Sequence, residues 1–545
     1  MASFPASTTT TAAAYSSSTT TTSTPAYSTT TTTTSTLTTR IFLEPDLTNC
    51  KGVLLDEGAP KVDCCPPKDA KIVDFKLPPR PRTMRIRRAA HLVDQDYIAK
   101  YERAIKLMKE LPEDDPRNFT QQANLHCAYC CDAYPQVGFP EHSFQVHTSW
   151  LFFPFHRFFL YFHEKILGKL IGDPTFALPF WNWDAPKGMQ MPSMYEDSNS
   201  PLYDPLRSKR TSSSCPVIDL DYHFNKVPSI STSSHKSTRV HAVIRQLNID
   251  RQVAINLTTM YRQMISSGNT ACLFLGTPYR AGEVDPIPAA GSIEHVPHKT
   301  AHDWTGDQSQ PHHENMGAFY SAARDPIFYA HHSNVDRMWT IWKTLGGRRH
   351  DFTDPDWLDT RFIFYDENKQ LVRVKLRDCL DNAELGYVYQ NVELPWLNSQ
   401  PTPLPLKKTP MAETSTAVFP IKLDKKVTVK VRRNKRDKEE EEEVLVIEGI
   451  EVAVHAHVKF DVYINYVPDE YEAPIGPDKT EFAGSFVHLP RKSKHRETTK
   501  TRLRIGITNL MEDLGAEDDD NVLVTMIPKN GFATIGGIEI GFFSC

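Results

Sequence analysis

The sequence predicts a mainly α-helical region, with a metal site in a four-helix bundle, followed by an all-β domain. Three observations support this fold class: four long segments repeat apolar residues at helical spacing, the composition changes after Trp396, and histidines cluster in two places. Side chains on the facing helices of a bundle converge on one centre, which makes it a common location for metal sites.

The composition is that of a globular protein. Of the 545 residues, 40% are hydrophobic and 24% are charged, and the formal net charge is -5. This balance gives no reason to expect nucleic acid as a partner, and no apolar run approaches the ~20 residues of a membrane-spanning helix. We therefore expect small-molecule partners, no nucleic acid and no stable membrane insertion.

The N-terminal segment, residues 1–44, is rich in Ser and Thr. Its first forty residues contain no Asp, Glu or Lys and one basic residue, Arg40, so they cannot build a packed core. A Ser-rich, acid-poor segment is typical of a plastid transit peptide, and a disordered tail is the alternative. Neither a twin-Arg pair nor an apolar stretch precedes Pro45, so the sequence shows no second targeting signal.

The helical region is predicted to span residues 45–398. Helices are expected at 96–111, 154–170, 240–266 and 326–345, with Pro154 in a first turn and Gly346-Gly347 closing the last helix. A proline-rich linker, 399–415, separates this region from a β domain at 416–545. Alternating segments such as Val427–Val431 and Val458–Val462 predict strands in that domain.

Two sets of histidines carry the chemistry. His298 and His302 are four residues apart, so on one helix both imidazoles project from the same face, and His332 lies on a later apolar helix. The upstream set is His126, His147 and His156. Since His147 and His156 are nine residues apart, a break must separate them, and Pro154 supplies a helix start.

Three imidazoles without a carboxylate or thiolate suit copper, and two such trios suggest two metal ions. A lone histidine in an apolar helix is usually a core residue, but clustering favours ligation. A zinc hydrolase is a weaker alternative, because the sequence lacks the HExxH arrangement among these histidines.

These stretches resemble the plant polyphenol oxidase family of type-3 copper proteins, the tyrosinases and catechol oxidases. The resemblance runs from about Pro45 to the C-terminus. Its marks are His126–Cys130, Gln145–Arg157, His298–His302, Phe328–Asp336, Tyr387–Tyr389, Pro395–Leu397 and Lys459–Val462.

The resemblance implies two copper ions and assigns their ligands. His126, His147 and His156 would hold copper A, while His298, His302 and His332 would hold copper B, with His331 beside them. It also implies a thioether between Cys130 and His147, and disulfides that pair Cys50 with Cys65 and Cys64 with Cys127. We expect Cys215, Cys272, Cys379 and Cys545 to be buried or free thiols.

The implied activity is oxidation of o-diphenols to o-quinones with reduction of O2 to water. By the same resemblance the β domain shields the copper site until a protease cuts the linker, Phe319 is a gate over copper B, and Glu294 holds a water. Partners would be phenolic substrates, O2 and the activating protease. A plastid location is implied, in the thylakoid lumen by family resemblance, with vacuole or cytoplasm as alternatives.

Two residues beside the copper B ligands depart from the family pattern. Lys299 follows the first ligand, where an Asn is associated with tyrosinase activity, and Lys cannot accept a hydrogen bond as Asn does. Asp303 follows the second ligand and is expected to act as a base or to pair with Lys299. The alternative for these two is a solvated Lys/Asp pair at the cavity rim.

Three functions stay open from the sequence. Catechol oxidase, with or without tyrosinase activity, is the leading hypothesis. The alternatives are a specialised oxidase of chalcones or lignans, similar to aurone synthases, and a non-catalytic O2-binding dicopper protein.

Overall fold

Helices dominate the first three quarters of the chain and strands the rest. The computed structural model describes residues 42–51, 64–67, 71–209, 217–223, 238–284, 286–405, 418–434, 441–468, 474–491 and 497–543. The transit-like segment up to residue 41, most of the expected linker, Cys215 and Cys545 lie outside these ranges. The helical region below means the described residues 42–405, and the β domain means the described residues 418–543.

The α-helices of the described chain are α1 Gln95–Lys109, α2 Phe119–Cys130, α3 Phe152–Ile171, α4 Thr238–Tyr261, α5 Ala271–Leu275, α6 Thr300–Thr305, α7 Ile327–Thr344, α8 Pro355–Asp359 and α9 Thr508–Asp513. One π-helical turn, Arg262–Ser266, extends α4, and another, Glu294–Lys299, leads into α6. Short 3-10 turns lie at Leu47–Asn49, Ala90–Leu92, Pro186–Gly188, Ser193–Tyr195, Ala322–Arg324, Leu376–Cys379 and Pro395–Asn398.

All four helices expected from periodicity are present, as α1, α3, α4 and α7. The Asp94 side chain accepts a hydrogen bond from the Tyr97 N–H and caps α1, and Pro154 lies in the first turn of α3 as expected. Helix α3 ends at Gly172, whose φ of 69° is the left-handed conformation that glycine adopts most readily.

Helix α2, which carries His126, was missed by the periodicity. Nearly every side chain of α2 is buried, from Phe119 and then from Gln122 through Cys130, so it has no polar face for an amphipathic pattern to reveal. Its start signal is Asn118, whose side-chain oxygen accepts a hydrogen bond from the Thr120 N–H. The helices around the histidines are therefore α2, α3, α6 and α7, whereas α1 and α4 carry no histidine of either trio.

Disulfides join the N-terminal part of the helical region to α2. The structure links Cys50 to Cys65 and Cys64 to Cys127, with Cα–Cα distances of 5.9 Å and 5.3 Å, and these are the two pairs that the resemblance implied. Cys379 is a buried free thiol. The expectation for Cys272 was wrong, because its sulfur is disulfide-bonded.

Short strands complete the helical region. They form a three-stranded sheet in the order β1-β6-β5 and two two-stranded sheets, β2-β7 and β3-β4. Their bounds are β1 Ile72–Asp74, β2 Arg85–Arg87, β3 Pro135–Gln136, β4 Phe139–Ser143, β5 Arg361–Tyr365, β6 Leu371–Lys375 and β7 Tyr387–Tyr389.

The β domain is two packed sheets around an apolar core. One sheet has the order β13-β10-β15-β8 with β16 also paired to β10, and the other has the order β12-β11-β14-β9. In the first sheet, β10 pairs with β13, β15 and β16. In the second sheet, β11 forms long antiparallel ladders with β12 and β14. The strands are β8 Ile421–Leu423, β9 Val427–Arg432, β10 Glu443–Ala453, β11 Val458–Ile464, β12 Phe482–His488, β13 Thr498–Gly506, β14 Asn521–Asn530, β15 Ala533–Ile535 and β16 Gly537–Phe542.

The β domain packs directly on the helical region. From Ile41 to Cys545 the chain forms one compact unit, and Val487 and Leu489 are buried in the apolar core of the helical region rather than in that of their own domain. Among the described helices, none is long and apolar enough to cross a membrane.

Candidate metal centre

The first trio of histidines is gathered in the core. His126 lies in α2, His147 in the loop before α3, and His156 in α3. All three are at most 2% exposed, and one ring nitrogen from each lies within 4.8 Å of the others. The break that the nine-residue spacing required is this loop, since α3 begins at Phe152.

The second trio forms an equally close group. His298 lies in the π-helical turn, His302 in α6 and His332 in α7, all at most 1% exposed. Their ring nitrogens lie within 4.8 Å of one another, together with one from His331. The Nε2 atoms of His302 and His332 are 3.1 Å apart, a separation expected of two imidazoles bound to one ion at about 2.0 Å each.

The two trios face each other. The rings of His156 and His332 stack with centroids 4.2 Å apart, and those of His147 and His298 lie 5.9 Å apart at an interplanar angle of 20°. The structure therefore brings all six sequence-predicted histidines together as two adjacent groups.

Backbone carbonyls orient three of the rings. The Nδ1 atoms of His156, His298 and His302 donate to the carbonyl oxygens of Phe152, Glu294 and Met316, at 2.7, 3.1 and 2.8 Å. Because a carbonyl only accepts, each neutral ring keeps its lone pair on Nε2, the arrangement that a metal ligand needs.

Several of the remaining ring nitrogens are buried without a protein partner. Within the described residues no hydrogen bond satisfies Nε2 of His156 or His298, nor either ring nitrogen of His126 or His147. Burying such unpaired polar atoms is costly, so the centre fits bound cations. No carboxylate or thiolate belongs to either group, which suits copper.

Burial keeps the six rings neutral. Desolvation lowers the pKa of His156 to about 3 and that of His302 to about 4, and it holds the pKa of the other four histidines well below their usual value. Neutral imidazole is the form that binds metal.

His331 is held by a neighbouring tryptophan. The indole N–H of Trp183 donates to Nδ1 of His331 at 3.2 Å. Because an indole N–H only donates, Nδ1 of His331 accepts, and the neutral ring carries its proton on Nε2. This tautomer has no lone pair to offer the second trio, in keeping with a place beside it.

Phe319 lies on a ring of the first trio. Its ring stacks on His147 with centroids 4.2 Å apart and an interplanar angle of 23°, whereas the expected place was over copper B. The backbone N–H of Phe319 donates to the carbonyl oxygen of Pro490 in the β domain at 3.3 Å. Phe319 is therefore an apolar wall of the centre that the β domain covers.

Glu294 and Lys299 form a buried ion pair, with Nζ 3.8 Å from Oε1. The same oxygen accepts a hydrogen bond of 2.6 Å from the N–H of Thr148, which follows His147 and has a φ of 62°. A positive φ is strained for a β-branched residue, so this bond helps to hold the loop that carries His147. Burial raises the pKa of Glu294 to about 7, and the Lys299 ammonium opposes the rise.

The expected pairing of Lys299 with Asp303 is wrong, and so is the solvated pair at the rim. Lys299 is only 3% exposed, and Asp303 instead accepts a 2.6 Å hydrogen bond from Nδ1 of His313. The four-residue spacing misled because Val296 is extended, with φ −140° and ψ 126°, and this break brings Glu294 next to Lys299.

Asp336, which follows His332 by one turn, serves the fold. Its carboxylate accepts hydrogen bonds from Arg157 and from the hydroxyls of Tyr387 and Tyr389, at 2.5, 2.6 and 2.5 Å, and pairs with Arg87. This buried network ties α3 and α7 to strand β7, which explains the Tyr387–Tyr389 motif.

A segment of the β domain closes the centre. This cap segment, Phe486–Arg491, comprises the end of β12 and the residues after it, and it borders a cavity of about 370 Å³ whose wall also includes His147, Lys299 and Phe319. The Phe486 ring lies 5.5 Å from that of His295, the neighbour of Glu294. Residues of the β domain therefore line the cavity beside the trios.

Sequence reasoning missed three groups of residues. The first group is Trp183 and Asp184. Asp184 accepts hydrogen bonds from Arg337 and from the indole of Trp396. The buried Lys459–Asp221 pair and the Asp303–His313–His457 cluster were also missed, because their members are far apart in sequence.

Family models match most of the chain. Residues 116–345 match the common central domain of tyrosinase, 351–402 the polyphenol oxidase middle domain, and 419–542 the chloroplastic polyphenol oxidase C-terminal domain. A chloroplastic polyphenol oxidase of Malus domestica is 54% identical over 523 residues, covering 92% of this chain and 84% of the relative. Aureusidin synthase of Antirrhinum majus is also 54% identical, covering 89% of this chain and 86% of the relative.

Solved structures agree with the fold. Latent apple tyrosinase is 55% identical and aligns with a TM-score of 0.78 over 87% of this chain and 100% of its own. A latent aurone synthase, a polyphenol oxidase from a natural source, is 38% identical and aligns with a TM-score of 0.83 over 92% of this chain and 98% of its own. The helical region and the β domain therefore form the architecture of a latent copper oxidase.

The names of several relatives include chloroplastic, in agreement with a plastid location for this chain. The histidine trios suit two copper ions, phenolic compounds and O2 are the substrates, and the chain belongs to the plant polyphenol oxidase family.

Proposed function

We propose that this enzyme oxidises o-diphenols to o-quinones at a dicopper centre that the β domain keeps covered until the linker is cut and the β domain dissociates. Each diphenol gives up two electrons and two protons, so two diphenols reduce one O2 to two waters. One observation carries the proposal: six buried, neutral imidazoles form two facing groups, and several of their ring nitrogens have no protein partner among the described residues.

The six histidines are proposed as the copper ligands. His126, His147 and His156 would hold one ion, and His298, His302 and His332 the other. When bound, the copper pair supplies the two-electron exchange between the phenol and O2. His331 stays in place through its hydrogen bond from Trp183 and is not needed as a ligand.

Glu294, Lys299, Asp303 and Phe319 would shape the centre. The Phe319 ring gives an apolar surface for an aromatic ring, and Oε2 of Glu294, which has no protein partner among the described residues, is the atom available to hold a water. Lys299 keeps Glu294 from being an isolated buried carboxylate. The Asp303 carboxylate accepts a hydrogen bond from His313, so Asp303 would support the wall of the site and would not contact the substrate.

A thioether between Cys130 and His147 is part of the proposal. Cys130 is a buried thiol on α2, and the loop that carries His147 is bound to it, since the Gln145 side chain donates to the Cys130 carbonyl at 3.0 Å. Such a bond fixes one ligand ring rigidly. Intact mass of the copper-free, reduced protein tests it: the thioether lowers the mass by two hydrogen atoms, and Cys130→Ser removes that deficit.

Activation is proposed to follow proteolysis in residues 399–415. The cap segment blocks the way to the trios, and relatives include a latent form from Prunus armeniaca. Cutting the linker alone leaves the two parts packed, so activity should rise as the β domain dissociates.

A thylakoid-lumen location is proposed as well, in keeping with the disulfides, and chloroplast import followed by fractionation tests it.

Substrate-resolved kinetics on the truncated, copper-bound enzyme test the function. Rapid O2 uptake with a catechol supports the oxidase, whereas O2 binding without consumption would favour a carrier. Chalcones and lignans belong in the panel, because the relatives include an aureusidin synthase and a (+)-larreatricin hydroxylase.

Lys299 is the residue to vary for monophenol activity. We expect Lys299→Asn to raise the ratio of monophenol to diphenol oxidation, because an amide oxygen can accept a hydrogen bond where the ammonium cannot. Lys299→Met, which removes the charge without adding an acceptor, is the matched control. Equal ratios in the Asn and Met variants would show that an acceptor at this position does not control the reaction.

A further inference from the structure

A third group of metal-binding side chains lies outside the copper centre. Asp303, His313 and His457 each offer one ligand atom, and these atoms lie within 4.8 Å of one another. Oδ1 of Asp303 is 2.6 Å from Nδ1 of His313 and 3.3 Å from Nδ1 of His457. The two imidazole rings stack with centroids 4.0 Å apart.

The cluster joins the two parts of the protein. Asp303 lies in α6 and His313 in the loop that follows, whereas His457 precedes β11 of the β domain. Their side chains are largely buried, with 7%, 8% and 15% exposed. Asp303 follows His302, but consecutive helical side chains diverge by about 100°, so the cluster is directed away from the copper ligands.

His457 directs a lone pair at the carboxylate. Its Nε2 lies 3.3 Å from the carbonyl oxygen of His312, and a carbonyl only accepts, so Nε2 carries the proton and Nδ1 of the neutral ring does not. This Nδ1 is buried and has no hydrogen-bond partner among the described residues, although Asp303 Oδ1 is next to it.

A lone pair facing a carboxylate is repulsive unless a cation lies between them. We propose that Asp303, His313 and His457 bind a divalent cation of the zinc class, which braces the β domain against the helical region. The cation would replace the proton that Nδ1 of His313 donates to Asp303, and that proton is released to solvent. Two imidazoles and one carboxylate are then the ligands, a common set for such ions, with water completing the coordination. The site is unlike the copper trios, which contain no carboxylate.

Metal analysis of the full-length, copper-bound protein tests the proposal. Wild type is dialysed against micromolar Zn²⁺ and then against metal-free buffer, and copper and zinc per chain are counted. We expect one zinc beyond the coppers in wild type and in His455→Ala, whose exposed imidazole lies two residues from His457. In His457→Ala and His457→Asn zinc affinity should fall at least about tenfold, since a ligand is lost.

Zinc contents that do not differ between wild type and the His457 variants would overturn the proposal. Copper content confirms that each variant is folded around its main centre. Co²⁺ titration of wild type gives a second measurement, because nitrogen and oxygen ligands produce visible absorption bands that excess Zn²⁺ should abolish. Absence of those bands would also count against the site. None of these measurements depends on catechol oxidation, so a failure of this metal site can be distinguished from a failure of the proposed function.

Discussion

Replacing Lys459 with Met tests how the β domain is held over the copper centre. The Lys459 ammonium is buried, with 2% of its side chain exposed, and its Nζ donates to the Asp221 carboxylate at 2.8 Å and to the Asp221 carbonyl oxygen at 2.9 Å. Asp221 belongs to the helical region and Lys459 to strand β11, so these bonds cross between the two parts. Asp461, in the β domain, lies 3.2 Å from the same Nζ.

The size of the effect follows from which bonds are lost. Breaking a buried ion pair by removing one partner costs about 3–5 kcal/mol, and a hydrogen bond to a charged group contributes about 1.5–3 kcal/mol. Only the bonds to Asp221 differ between the covered and uncovered states, because Asp461 stays with Lys459 in both. The figure of about 1.5–3 kcal/mol therefore applies. The fraction of molecules in which the β domain has left the copper centre uncovered should rise about 10- to 150-fold.

O2 uptake with a catechol, measured on uncleaved full-length protein, reports the uncovered fraction. We expect Lys459→Met to raise this basal activity by that factor while activity after removal of the β domain is unchanged. Lys422→Met is the matched control, since Lys422 and Asp424 form a surface pair, each more than half exposed, that contributes little. Basal activity of Lys459→Met equal to that of wild type and the control would refute the reasoning.

Two more predictions concern stability. Asp336→Asn should lower the free energy of unfolding by about 3–5 kcal/mol in urea, because Arg157 loses its buried carboxylate partner and Arg87 keeps only Glu164; the exposed Asp381→Asn is the control, and similar losses in both would contradict the network. Acid should also weaken the packing of the β domain. Burial lowers the pKa of His457 to about 4 and that of His488 to about 3, both below the unfolded value of 6.5, so the folded state binds fewer protons and its stability declines as pH falls from 6.5 toward 3. The melting temperature should therefore fall over this range, and less steeply in His488→Gln; a constant melting temperature would contradict the assignment.

The sequence was most informative where the chemistry depends on residue type and on the spacing of nearby residues. Six histidines, separated by helical spacings or by a necessary break, pointed to two metal ions, and alternation at Val458–Val462 predicted a strand that the structure contains. Sequence pattern found α1 from its amphipathic spacing, α3 from a dense apolar run that begins at Pro154, and also α4 and α7. It failed for α2, which is buried nearly all round.

Contacts between distant segments could not be predicted. A Lys299–Asp303 pair was expected from the sequence. The extended backbone at Val296 instead lets Lys299 pair with Glu294, and Asp303 pairs with His313. The cap segment contains no unusual residues, and its role depends on how the β domain packs on the helical region. Such packing is set by the tertiary structure and not by local pattern.

Copper content tests the central claim, that two histidine trios each hold one ion, most directly. Copper per chain is measured in wild type, in His302→Ala and in His350→Ala, whose histidine is exposed and outside both trios. We expect two coppers in wild type and the control, one in His302→Ala, and no catechol oxidation by that variant. Two coppers per chain and full activity in His302→Ala would contradict it.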